Sequence, residues 1–261
     1  MDIQIRPVTL LEIACEVTIP RVITFIGGGG KTSLMYLWAR SLQASGFSVA
    51  TTSTTRLSAQ ALPEVRIAQP ASLSEAAFFL RTPTTAREIL TLSSYTAPAG
   101  DKLLGIPPAW IDSLCQKFPD TFFLVEGDGS AGRSLKGHLP HEPVIPASTS
   151  LLVPVIGLDV LGKTLDNAHI HRPDVFSRIT GTPSGGLIGP AEVFTALFHP
   201  EGYLCRALQS TTILPLLNKM ETCSQWETGK IIATQILASN HPQISAVLAG
   251  SVHNNCFVRL S

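Results

Sequence analysis

Residues 22–33 read V-I-T-F-I-G-G-G-G-K-T-S, and this stretch decides the fold. An apolar, β-branched run enters four glycines, then Lys31, Thr32 and Ser33, then an amphipathic segment. Strand, glycine turn, Lys-Thr and helix together are the layout of a phosphate-binding P-loop. Glycines let the backbone take φ > 0 and bring N–H groups against an anion. The helix that follows adds unpaired N–H groups and the positive end of its dipole. On this reading Gly27, Gly28, Gly29, Gly30, Thr32 and Ser33 surround the phosphates. Lys31 reaches the β- and γ-phosphates, and the Thr32 hydroxyl holds Mg²⁺. The first glycine of G-x-x-x-x-G-K-[ST] is missing, because position 25 is Phe25. A dinucleotide-type G-x-G-x-x-G reading fails at Thr32 and leaves Lys31 without a role. The plain alternative is a flexible glycine linker, and the strand and helix on its flanks argue against it.

Working outward, other apolar runs end in polar tips. Residues 47–50 predict a short strand running into T-T-S-T-T-R at 51–56. Ligands of open parallel sheets bind beyond such strand ends, so Thr54, Thr55 and Arg56 are candidates to sense a γ-phosphate. A β-prone threonine run with a helix N-cap is the alternative. Residues 121–125 predict a wholly apolar strand ending in Glu126-Gly127-Asp128. An apolar strand with a terminal carboxylate is what a Walker B element needs to hold Mg²⁺, and Glu126 and Asp128 face one way in extended chain. Arg133 and Lys136 add positive charge beyond them, and Arg133 is a candidate to stabilise phosphoryl transfer. Residues 150–156 predict a further strand, and 211–217 another that ends in Asn218-Lys219-Met220-Glu221. That tip resembles the base-reading N-K-x-D of nucleotide switches, with Glu in place of Asp; a surface turn is the alternative. Asn218 and Lys219 are therefore candidates to face a base.

The remaining elements follow from periodicity and caps. Helices are expected over 32–44, 71–81 with Ser72 and Glu75 as a capping box, from Pro107-Pro108 to 118, from Pro173, from Pro190 and over 228–238. Residues 89–95 and 102–106 suggest a hairpin across 98–100, and 244–248 a closing strand. Residues 1–20 read as a lead-in with one helical turn at 10–14. His169 and His171, beside Arg172, could bind a metal, but two ligands do not make a site, so anion contact or a partner-facing switch fits better.

Composition bounds the function. The chain has 261 residues, 44% of them hydrophobic, and a formal net charge of zero. That is a folded globule without the basic stripe of a nucleic-acid binder. Five scattered cysteines form no C-x-x-C pair and read as thiols of a reducing compartment. No apolar run has the length of a membrane span, and the start lacks the pattern of a signal peptide, so a cytoplasmic location without membrane contact is expected.

Several blocks together carry a family likeness: G-G-G-G-K-T-S-L-M at 27–35, T-T-S-T-T-R at 51–56, L-V-E-G-D-G-S-A-G-R-S-L-K at 124–136, H-E-P-V-I-P at 141–146, G-L-D-V-L-G-K at 157–163, H-R-P at 171–173 and L-N-K at 217–219. With them the chain resembles the YqeC-type accessory proteins of selenium-dependent hydroxylases. Gly127 and Ser134 stand where many relatives have Ala and Pro, and neither change removes a reactive group. The resemblance implies a part in maturing selenium-containing molybdenum hydroxylases, with such an enzyme or its cofactor machinery as partner. The expected fold is α/β in three layers: one P-loop NTPase-like domain over 1–261, mostly parallel sheet, helices on both faces. The expected function is binding of ATP or GTP with Mg²⁺, and hydrolysis. Transfer to a cofactor precursor by a kinase or nucleotidyltransferase, and a scaffold that binds without hydrolysis, are the alternatives.

Overall fold

The structure, a computed structural model, describes residues 3–58, 65–82, 88–96 and 102–261. Its elements in chain order are β1 (Ile5–Pro7), α1 (Leu10–Cys15), β2 (Val22–Gly27), α2 (Lys31–Ala44), β3 (Ser48–Ser53), β4 (Arg56–Ser58), β5 (Val65–Ala68), α3 (Leu73–Arg81), β6 (Ile89–Leu92), β7 (Tyr95–Thr96), β8 (Lys102–Leu104), α4 (Pro108–Lys117), β9 (Thr121–Glu126), β10 (Leu135–Lys136), β11 (Leu151–Gly157), β12 (Ile170–His171), α5 (Pro173–Thr180), α6 (Pro190–Phe198), β13 (Thr212–Ile213), β14 (Leu216–Asn218), α7 (Cys223–Ala238), β15 (Val247–Ser251) and β16 (Cys256–Leu260).

The main sheet runs β1-β16-β15-β14-β11-β2-β9-β3-β6-β5, with β13 also on β11. From β15 to β5 every pair is parallel. At one edge β16 runs the other way, antiparallel both to β15 and to β1. Parallel strands are covered on both faces, and β2, β9 and β11 are buried along their whole length, as their unbroken apolar runs require. Alternate residues feed opposite layers. Ile23, Phe25, Phe122, Leu124 and Val153 pack with α1 and α2. On the other face Ile26, Leu152 and Ile156 pack with α5, α6 and α7, and Val22, Phe123 and Val125 with α3 and α4. This is the three-layer α/β architecture expected from the sequence.

The central helix is fixed where it matters. Trp38 is fully buried and meets Phe25 edge to face, with ring centroids 5.7 Å apart. Burying one such side chain stabilises by about 1.5–3 kcal/mol. The glycine turn between β2 and α2 is thus pinned from both ends.

Several boundaries differ from expectation. β3 continues through Ser53, taking in three of the five hydroxyls placed beyond its end. The Thr51 hydroxyl lies 2.6 Å from that of Thr91, and the Thr52 hydroxyl donates to the Leu92 carbonyl at 2.8 Å, so they tie β3 to β6. Ile89–Leu92 is a parallel strand of the main sheet; of the expected hairpin Tyr95–Thr96 alone pairs with Lys102–Leu104, whose other edge takes Arg56–Ser58, both antiparallel. The turn at 98–100 lies outside the described residues. The strand expected over 211–217 is two short pieces separated by Leu214 and Pro215, since proline cannot donate to a ladder. The last parallel strand begins at Val247, α7 begins five residues earlier than 228, and the lead-in holds a strand as well as a helix.

Candidate functional site

The tips of β2, β9, β11 and β14 converge on the start of α2. Gly27, Gly29 and Gly30 have φ of 93°, 83° and 115°, the left-handed region that glycine tolerates. A Cβ on Gly27 would overlap Tyr203 and the Val155 carbonyl, so no other residue fits there. The N–H of Gly27 points between the Asp128 carboxylate oxygens, 3.0 Å from each. The N–H groups of Gly28 and Gly29 donate to the carbonyls of Val155 and Arg133, at 2.9 Å each. These three glycines shape the turn, and their donors are already used. Gly30 is the N-cap of α2 and supplies no side-chain cap. The N–H groups of the first turn, from Lys31 onward, are those a helix leaves without an internal partner. They are the donors still open to an anion.

Beneath the turn lies a chain of buried charges. Lys31 is 3% exposed; its Nζ donates to the Gly27 carbonyl at 2.6 Å and lies 3.3 Å from Asp128 and 3.7 Å from Glu126. Asp128 has no exposure and also meets Lys136 at 3.3 Å and His138 Nε2 at 2.6 Å. Lys136 in turn binds Glu142 at 3.0 Å, and Glu142 forms a two-pronged pair with Arg172. Three carboxylates and three cations alternate in this path, as buried charges must to offset their desolvation.

The two carboxylates of the β9 tip have opposite fates. Glu126 accepts from the Thr32 hydroxyl at 2.6 Å and has Lys31 as its nearest cation. Burial raises its pKa, and Lys31 and Thr32 offset this only in part. Burial acts on Asp128 too, but Lys31, His138 and Lys136 outweigh it and hold the carboxyl far below its ordinary value. Asp128 is saturated by partners; Glu126 is the carboxylate still seeking a cation. Burial keeps His138 neutral, so its Nε2–H donates to Asp128 and its Nδ1 is a lone pair without a partner among the described residues. For Glu142, burial again raises the pKa, but Arg172 and Lys136 prevail and bring it to about 2.

Two cavities meet at Gly30 and Ser33. One, of about 540 Å³, is lined by Gly29, Tyr36, Asp159, Asn218, Lys219 and Glu221, among others. The other, of about 630 Å³, includes Lys31, Thr32, Thr55, Arg56, Glu126 and Arg133. It reaches Glu142, His171 and Arg172 at its far wall. Most of the residues singled out in sequence are therefore brought together. Thr54 is not: its hydroxyl donates to the Val144 carbonyl at 2.7 Å. Asn218 is buried, donating to the Gly29 carbonyl at 2.7 Å and accepting from the Val252 N–H at 2.9 Å, so it braces the turn. Lys219 spans from the Ser134 hydroxyl at 2.7 Å to Asp159 at 2.8 Å. His169 pairs with Asp166 at 2.9 Å, while His171 lines the larger cavity. Among the described residues no group of three or more His, Cys, Asp or Glu is placed to hold a metal. The residues able to hold Mg²⁺ are Thr32 and Glu126, hard oxygen donors already in contact. Sequence reasoning passed over Glu142, His138 and Tyr203. The one signal was a polar cluster, S-L-K-G-H, placed where a loop would be exposed but here buried.

The fold and site define a three-layer α/β protein with a glycine turn and an acidic strand tip at one end of its parallel sheet. The YqeC family model, described as YqeC protein, matches residues 23–174. The chain is also 33% identical over 206 residues to the uncharacterized protein YqeC of Escherichia coli (strain K12), covering 78% of each. The chain belongs to the YqeC family. The matched span holds the glycine turn, Glu126, Arg133 and Arg172, and stops before Asn218. Among the described residues no helix is long and apolar enough to cross a membrane.

Proposed function

We propose that this protein binds a nucleoside triphosphate with Mg²⁺ at the start of α2 and breaks its terminal phosphoanhydride bond. One observation carries the reading. Lys31, Thr32 and Glu126 stand together at a helix N-terminus, and a cavity opens on either side of it. The smaller cavity suits a base, with Asp159 and Glu221 as acceptors on its wall. The larger suits the terminal phosphate and what lies beyond it.

In this scheme the phosphates lie over the first-turn N–H groups, where the helix dipole favours negative charge. The Lys31 ammonium leaves the Gly27 carbonyl and turns to the β- and γ-oxygens, while Asp128 keeps its remaining partners. Thr32 and Glu126 would hold Mg²⁺, which would supply positive charge against the phosphate oxygens. Mg²⁺ would then replace the Lys31 charge beside Glu126 and offset its burial more fully. Lys31, turned to the γ-phosphate, stabilises the charge that spreads over the leaving phosphoryl group.

The wider role we propose, in maturation of selenium-dependent molybdenum hydroxylases, rests on the sequence resemblance alone. Titration calorimetry tests the site. Lys31→Ala should weaken ATP or GTP binding at least a hundredfold, since the point charge on the phosphates is gone. Its fold should persist, because Asp128 still has Lys136, His138 and the Gly27 N–H. Equal affinity in a folded variant would sink the proposal.

A further inference from the structure

The larger cavity is bigger than a terminal phosphate requires. At about 630 Å³ it lies within the range of pockets that enclose a whole small molecule. Its charges do not balance. Glu126 answers Lys31, Glu142 answers Arg172, and Lys219 is answered by Asp159. Arg56, exposed at the mouth, and half-buried Arg133 are left, and among the described residues no carboxylate pairs with either. Arg133 is nevertheless held in place, its Nε donating to the Asn167 carbonyl at 2.8 Å.

The rim is also built from costly backbone. Ala131, Arg172 and Lys219 all line this cavity, and all have positive φ, at 49°, 59° and 63°. A residue other than glycine is strained in that region, and such residues gather where a site demands them. Arg172 is further locked by its pair with Glu142, itself held by Lys136. The His171 ring, in the same wall, has no hydrogen bond among the described residues. Burial and the neighbouring Arg172 and Lys136 lower its pKa to about 4, so it is a neutral imidazole.

We propose that this cavity is the seat of a second substrate, a small molecule bearing a phosphate or carboxylate group that Arg56 and Arg133 grip. Guanidinium forks match either oxyanion through paired N–H donors. The proposal rests on the nucleotide reading above for the identity of the first substrate. It adds that the protein holds two ligands at once, the second beside the terminal phosphate of the first.

Inorganic phosphate and acetate are the probes. Calorimetry is run on the wild-type chain saturated with Mg²⁺ and a nonhydrolysable triphosphate analogue, and separately on Lys31→Ala. At least one anion should bind saturably in both settings. Adding Arg56→Ala and Arg133→Ala to Lys31→Ala should weaken that binding at least tenfold, with an unchanged melting temperature. Phosphate binding rather than acetate would name a phosphate ester as the handle, and the reverse a carboxylate. Anion binding that merely displaces the analogue, or that survives loss of both arginines, would overturn the second site while leaving nucleotide binding intact. If the analogue fails to bind wild type but the arginine-dependent anion site remains, it is the nucleotide reading that falls.

Discussion

On the β14 side of the glycine turn the polar groups satisfy one another. Asn218 joins the Gly29 carbonyl to the Val252 N–H, Glu221 accepts from the Ser251 hydroxyl at 2.8 Å, and Lys219 is shared by Ser134 and Asp159. On the β9 side the balance is incomplete: Lys31 and Thr32 offset the burial of Glu126 only in part, and Arg56 and Arg133 line a cavity with no carboxylate paired to either among the described residues. Titrating groups whose burial is only partly offset, as at Glu126, gather at functional sites. The first region is scaffold for the turn. The second is where binding energy remains to be gained.

The sharpest way to break this comparison is Glu126→Gln. A buried carboxylate with a raised pKa is worse off ionised than in the unfolded chain, so it costs stability at neutral pH. The amide should leave the ligand-free melting temperature equal or higher. Because the charge that would hold Mg²⁺ is gone, Mg²⁺ should cease to improve triphosphate affinity, a loss on the order of a hundredfold. Affinity measured with and without Mg²⁺ decides it. A variant that melts lower and still responds to Mg²⁺ would make Glu126 another structural anchor.

Asn218→Ala probes the opposite wall and should have the reverse signature. The buried Gly29 carbonyl and the half-buried Val252 N–H lose their partner, and a buried group left unsatisfied costs about 1–3 kcal/mol. Stability should therefore fall clearly in urea unfolding. Triphosphate affinity should drop by about tenfold, through a loosened turn, with Mg²⁺ dependence retained. Unchanged stability would mean that water replaces the amide and the wall is not a brace.

The same division explains what the sequence disclosed. The central strands were legible because parallel strands covered on both faces are written as continuous apolar runs, as at 121–125 and 151–156. Lys31, Thr32 and Glu126 were legible because each sits at a fixed place beside such a run. The edge was not. Ile5–Pro7 is three exposed residues, and its pairing with β16 joins opposite ends of the chain. Nor was the path from Asp128 through Lys136 and Glu142 to Arg172, whose members sit on loops and short strands and meet only in the fold. Asn218 was read as facing a base because its neighbours in sequence suggested so. Its hydrogen bonds go instead to backbone at 29 and 252, which no local pattern reveals.

That hidden path yields the smallest effect and the most specific one. Glu142 has its pKa lowered from 4.5 to about 2 in the fold. A carboxyl lowered in this way stabilises fully above its unfolded value and loses that contribution as pH falls towards its folded value. Glu142→Gln removes the titration and keeps the shape. The stability difference between wild type and variant should be constant above about pH 4.5 and shrink between about 4.5 and 2. His171, lowered from 6.5 to about 4, loses its share as pH falls from 6.5; because the Glu142 charge raises that value, the variant's imidazole titrates lower, and the two proteins part on this account only near the acid end of the window. Asp128, held lower still, keeps its charge through most of the same range. Urea unfolding at a series of pH values measures the difference directly. If it stays flat to pH 2, the Lys136–Glu142–Arg172 contacts carry no net charge stabilisation, and Arg172 must be fixed at the cavity wall by its backbone alone.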